Sequence, residues 1–155
     1  MEVNVQKYNN RNEVPLEYRW DLTSFYKDDK DFNDSIKVCS EKIIELKEYV
    51  GCTKDANKLY EFLCKQINVV ALWEDLYVYA NLLVDQDLSV DENLVKKNKT
   101  ESLYNEYNLN VSFFAPELLK LSKDEYDKLF IDCPSLEEYR ADLDKTYREK
   151  EHIFD

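Results

Sequence analysis

One glycine, Gly51, and three prolines serve a chain of 155 residues. Tight hairpins, left-handed turns and phosphate-cradling loops all draw on glycine, because only a residue without a Cβ enters those conformations freely. A β-rich fold with many hairpins, or a doubly wound nucleotide fold, is hard to build from this stock. Long helices joined by few loops fit it well. The expected fold class is all-α: an antiparallel helical bundle of four to five helices with an extended N-terminal arm.

Spacing of apolar residues supplies the helices. Phe32, Ile36, Cys39, Ile43, Leu46 and Val50 recur at 4-3-4-3-4, which puts them on one helical face between about Lys30 and Val50. Asp28, Asp29, Asp31 and Asp34 gather at its start, where the helix dipole favours negative charge. Gly51 then falls where a left-handed C-cap belongs. A second helix is expected from Thr53–Asp55 to about Val84. One apolar row runs Leu59, Phe62/Leu63, Val70, Trp73, Tyr77, Ala80 and Val84, with Gln66 as its polar interruption. A second row runs Val69, Leu72, Leu76, Tyr79 and Leu83. Two rows make a broad apolar arc, so this helix is expected to be the spine. Trp73, Tyr77 and Tyr79 read as core residues, with a ligand groove or docking face as the alternative.

Further along, Ser89-x-x-Glu92, Ser122-x-x-Glu125 and Ser135-x-x-Glu138 each match a capping box. They predict a third helix over about Val90–Phe114, a short one with Tyr126, Leu129 and Phe130, and a last one with Leu136, Tyr139, Leu143 and Tyr147. Lys96-Lys97-Asn98-Lys99 is expected to project into water, and Pro116 to mark a boundary or kink. Residues 1–27 lack a long helical period but carry Val14, Tyr18, Trp20, Leu22, Phe25 and Tyr26. They are expected to lie as an extended arm across a helical domain covering 28–155.

Charge narrows the partners. Thirty-three acidic against 21 basic side chains give −12, the wrong sign for neutralising phosphates, so nucleic acid and anionic membrane surfaces are not expected partners. The densest apolar stretch, Ile67–Tyr79, is interrupted by Asn68, Glu74 and Asp75, and the first ten residues have no apolar signal core. A cytoplasmic location is the expectation. Cys39, Cys52, Cys64 and Cys133 form no C-x-x-C pair and read as reduced thiols at apolar positions.

Catalytic chemistry finds little to work with. A helical zinc hydrolase needs His-Glu-x-x-His, and this chain has one histidine, His152. A cysteine nucleophile needs a base, and no spacing ties any of the four thiols to that imidazole. Glu41, Glu45 and Glu48 share a face, but like charges one turn apart form a solvated surface. No catalytic, cofactor-binding or metal-ligating residue is assigned.

Four segments stand in a familiar order. They are Arg11-x-x-Val14-Pro15-x-x-Tyr18-x-Trp20-Asp21-Leu22-Thr23, then Leu76-Tyr77-Val78-Tyr79-Ala80 with Asp85 and Asp87, then Phe113-Phe114-Ala115-Pro116-Glu117-Leu118-Leu119, and Tyr139-Arg140…Leu143…Arg148-x-Lys150-x-His152. Together they resemble the amino-terminal region of oligoendopeptidase F, in the thimet-oligopeptidase-like family of zinc metallopeptidases. Glu151 stands where that family often has proline. The resemblance implies a non-catalytic domain forming part of the wall or lid of a channel in which short peptides are cut. It implies zinc held by a catalytic part outside this chain, and that part as the domain's partner. It also implies an apolar face through which the isolated chain can self-associate. The competing expectation is a free-standing acidic helical module that binds a protein.

Overall fold

The computed structural model describes residues 7–8 and 11–150. The described residues form six α-helices: α1 (Asp29–Glu45), α2 (Ala56–Gln86), α3 (Asp91–Val111), α4 (Phe114–Lys120), α5 (Lys123–Asp132) and α6 (Arg140–Arg148). Short 3-10 turns precede α1 and stand between α1 and α2 and between α5 and α6, and no strand occurs among the described residues. The all-α expectation holds.

α2 is the middle helix, packed against α1, α3 and α5. Its buried stripe is Leu59, Phe62, Leu63, Val69, Leu76, Tyr79, Ala80 and Val84, drawn from both apolar rows. By length and composition alone α2 would suffice to cross a membrane. Here it carries Glu74 and Asp75 at mid-length and shares its apolar surface with neighbouring helices.

The side-chain bridges fix the directions of the helices. Glu45 meets Lys65, and Phe32 meets the Tyr79 ring, so α1 and α2 run antiparallel. Gln66 meets Tyr107, and Leu83 meets Asn93, so α2 and α3 do too. It follows that α1 and α3 are parallel, and their bridges advance in step. Asn33 with Lys99, and Ser40 with Glu106, each join residues 66 apart in sequence. In the carboxy-terminal part α5 and α6 are antiparallel, with Tyr126 reaching Asp144 at 2.7 Å.

Helix boundaries follow the local chemistry. Asp28 caps α1 by accepting from the Asp31 amide, and Asp55 caps α2 by accepting from Asn57 and Lys58. α1 ends at Glu45, earlier than expected, and continues as a 3-10 turn over Leu46–Tyr49. Val50 is consequently exposed, while Phe32, Cys39, Ile43 and Leu46 are buried. Gly51 has the expected left-handed backbone, φ 84°. Of the three predicted capping boxes, Ser122–Glu125 forms in full at α5. The other two do not. The Asp87 carboxylate takes both the amide and the hydroxyl of Ser89, so α3 begins at Asp91 without a side-chain cap. Pro134 starts a 3-10 turn over Pro134–Tyr139, which leaves Ser135 inside the turn and delays α6 to Arg140.

Pro116 marks the expected boundary: α3 ends at Val111, and Pro116 is the third residue of α4, within the first turn, where no intrahelical N–H bond is lost. One further expectation needs correction. Lys96 does not project into water. Its side chain is only 12% exposed and its ammonium lies 3.0 Å from Asp29, tying α3 to the start of α1.

The segment before α1 divides at Leu22. Tyr26 is buried among the Phe32 and Tyr79 rings, Phe25 lies 6.3 Å from Tyr79, and Leu22 packs against the core. Leu16, Tyr18 and Trp20 are exposed, although the Trp20 carbonyl accepts from Gln86.

Candidate functional site

Acids, thiols and phenols are the chemically active stock of this chain, and the fold spends most of them on structure. Burial and the Glu117 carboxylate push the Cys52 thiol up to about 12. Burial and Glu106 push Cys39 up to about 11. Neither is a thiolate nucleophile near neutral pH. All four cysteines are free, and Cys64 shares a hydrogen bond of 3.4 Å with the Tyr139 hydroxyl. That bond raises Tyr139 to about 12, with desolvation adding to it. Burial likewise raises Tyr26 to about 12, Asp75 contributing. Among the described residues no three His, Cys, Asp or Glu side chains stand together as a metal ion would require. His152, the one imidazole, lies outside the described residues, as do residues 1–6.

The more distinctive surface is aromatic. On the outer side of the α2–α3 contact four rings form a continuous stack. Tyr77 and Trp73 lie 5.1 Å apart, Trp73 and Tyr104 4.7 Å, and Tyr104 and Tyr107 6.1 Å, all with interplanar angles of 30° or less. The stack is anchored at two points. Trp73 Nε1 donates to the Thr100 carbonyl at 2.8 Å, and Gln66 donates to the Tyr107 hydroxyl at 2.6 Å. Thr100 is fully buried and donates to Lys97 O, so the indole is held against an immobile turn of α3. Tyr104, between these anchors, and Tyr77, at the end of the stack beyond Trp73, remain exposed. With Glu101 and Asn105 they border an open groove of about 530 Å³.

Trp73, Tyr77 and Tyr79 thus separate. Tyr79 is a core residue, Trp73 is half-buried, and Tyr77 faces outward. The expectation of core residues holds for Tyr79 and for Trp73, which packs against the core, while Tyr77 is exposed. Tyr104 and Tyr107 come from α3. Their spacing of three puts them on one face, yet only the packing of α3 on α2 shows that this face continues the Trp73–Tyr77 row.

No family model matches the chain, and no solved structure matches it. Curated proteins do. The plasmid-encoded oligoendopeptidase F of Lactococcus lactis subsp. cremoris is 31% identical over 146 residues, 93% of this chain and 24% of that protein. Group B oligopeptidase PepB of Streptococcus agalactiae is 28% identical over 145 residues, again 93% and 24%. Oligopeptidase PepF of Bacillus subtilis is 27% identical over 144 residues, 92% of this chain and 22% of that protein. The chain spans about a quarter of the length of the curated relatives it matches.

Along almost its whole length this all-α segment is similar to one part of curated oligopeptidases about four times as long. More particularly, it is a homologue of one segment of oligoendopeptidase F, as the four ordered motifs imply.

Proposed function

We propose that this chain is the amino-terminal, non-catalytic domain of a cytoplasmic zinc metalloendopeptidase, forming part of the wall or lid of the channel in which short peptides are hydrolysed. The observation that carries the reading is the relation to oligoendopeptidase F over 93% of the chain. The exposed, anchored aromatic stack on α2 and α3 supports it: a preformed apolar platform with polar tips suits packing against the rest of the peptidase. In this reading zinc is held by the remaining three quarters of the protein. The described residues here do not fit a zinc site.

The test is the mass of the native polypeptide, by immunoblot with an antibody to this segment followed by peptide mass spectrometry. A band several times larger than 18.6 kDa, with peptides continuing past Asp155, is expected. Reconstitution gives the functional arm. The purified 155-residue chain with added zinc should not cleave a short fluorogenic peptide, whereas the longer polypeptide should. Stoichiometric zinc-dependent hydrolysis by the 155-residue chain would overturn the assignment of a non-catalytic role.

A further inference from the structure

Against a net charge of −12, one cleft has the opposite character. It lies between α5 and α6, has a volume of about 770 Å³, and is lined by Lys123, Arg140, Arg148 and Lys150 with a single carboxylate, Asp144. Its floor is a pair of parallel rings, Tyr126 and Tyr147, 4.2 Å apart and inclined by 12°.

Two of the four cations are neutralised at the rim. Lys123 pairs with Asp127, and Arg140 holds Glu137 through two bonds of 2.5 and 2.6 Å while its guanidinium covers the Phe130 ring. The other two form no such pair, although Lys150 is near enough to help lower the Glu125 carboxyl. Arg148 Nε reaches the Asp144 carbonyl at 3.2 Å, and Lys150 Nζ the Leu121 carbonyl at 2.7 Å. Among the described residues neither has a carboxylate within ion-pair distance. Asp144, the one acid inside, accepts from the Tyr126 hydroxyl at 2.7 Å. Tyr147 is likewise fixed, donating to Leu121 O at 2.9 Å.

The geometry points to a binding site for the carboxylate end of a short peptide. An Arg guanidinium and a Lys ammonium facing one opening provide charge-assisted donors for a carboxylate. The partly exposed Tyr147 ring, backed by the buried Tyr126, offers an apolar bed for the last side chain, and the volume is that of a small-ligand pocket. Asp144 decides between anions. Its charge disfavours a phosphate dianion more than a monoanionic carboxylate, and its free acceptor capacity suits a peptide N–H. The choice of a peptide as ligand rests on the peptidase reading. Binding is measured on this chain alone, so it succeeds or fails whether or not the native polypeptide proves longer.

Calorimetric titration of the 155-residue chain with N-acetyl-Ala-Ala-Ala-Leu and with its C-terminal amide tests the site. The free acid should bind at least about tenfold more tightly than the amide. Arg148→Gln should lose about the same factor, and Arg148→Lys should keep part of it. Arg148 is the informative position because its side chain bonds only its own helix, whereas Lys150 also holds the Leu121 carbonyl. Circular dichroism of each variant, overlaid on the parent, reports whether the fold is retained. Should Arg148→Gln not fold, the acid-over-amide ratio of the parent chain decides. Equal binding of acid and amide, or affinity unchanged in a folded Arg148→Gln, would overturn the proposal. Displacement of the peptide by inorganic phosphate at matched concentration would overturn the assignment to a peptide end.

Discussion

The backbone amide of Gly51 donates to both carboxylate oxygens of Glu117, at 3.0 and 2.9 Å. The contact joins the turn after α1 to the first turn of α4. It spans the same 66-residue offset as Asn33–Lys99 and Ser40–Glu106. The parallel run of α1 and α3 is therefore pinned beyond the helices themselves, at a residue whose left-handed backbone only glycine adopts without strain.

Gly51→Ala should cost about 1–2 kcal/mol, all of it backbone strain, because nothing lies within 4 Å of the added Cβ. Gly51→Asn should cost less, since asparagine tolerates the left-handed region better. Glu117→Ala leaves the amide without its carboxylate and should cost about 1–3 kcal/mol. Urea denaturation of the single and double variants checks both values. The two effects should not add if the Gly51 amide loses its aim in the alanine variant.

The serines provide a cleaner contrast. Ser122→Ala should destabilise by about 1 kcal/mol, because its hydroxyl caps α5 at the Glu125 amide. Ser135→Ala, inside a turn without a side-chain cap, should fall within about 0.5 kcal/mol of the parent. Glu125 adds a pH signature. Its bonds to the Ser122 amide and hydroxyl hold its carboxyl below the usual range. That stabilisation is present above the ordinary value of 4.5 and is lost as pH falls through the depressed folded value. Acid unfolding of Glu125→Gln should show a shallower slope in that window.

Much of the helical order was legible because it rests on periodicity: Phe32, Cys39, Ile43 and Leu46 share a face by spacing alone, and that face is buried. Competition between near neighbours was harder to read. Ser89 and Ser122 stand in the same S-x-x-E pattern, yet Asp87 captures the Ser89 hydroxyl before α3 begins. Lys96 looked solvated until α1 brought Asp29 beside it. The α2–α3 aromatic stack and the basic cleft were illegible for one reason. Each is assembled from two helices whose relative rotation is a property of tertiary packing, and no local pattern encodes it.

Alkaline pH should unfold the chain through its buried thiols. The folded value of Cys52 rises from 9.0 to about 12, and that of Cys39 from 9.0 to about 11. The unfolded chain thus releases these protons first. Stability is complete below pH 9.0 and declines as pH rises through the folded values. Cys52→Ala should flatten the decline between pH 9.0 and about 12. Its lost packing should appear as an offset at neutral pH. Thermal melts across that range separate slope from offset.

Within α2, position and not residue type should set the cost of truncation. Leu76 is fully buried and Ile67 is half exposed. Leu76→Ala should cost about 2–5 kcal/mol in the isolated chain, and Ile67→Ala under about 1 kcal/mol. Chemical denaturation of both variants distinguishes a bundle core from a helix that is apolar all round.

The aromatic stack links stability to the proposed docking role, and its residues should separate the two. Trp73→Phe keeps a ring against Tyr104 but removes the bond to the Thr100 carbonyl, so it should cost the isolated chain about 1 kcal/mol. Tyr77→Ala and Tyr104→Ala remove exposed rings and should cost the isolated chain little. In the longer polypeptide those two rings would be buried against the rest of the peptidase. There each substitution should destabilise by about 2 kcal/mol or more, as truncation of a central aromatic at an interface does. Denaturation of both variants in the 155-residue chain and in the longer polypeptide reads the difference. Equal, small effects in both contexts would exclude this face as the contact between the segment and the remainder of the peptidase.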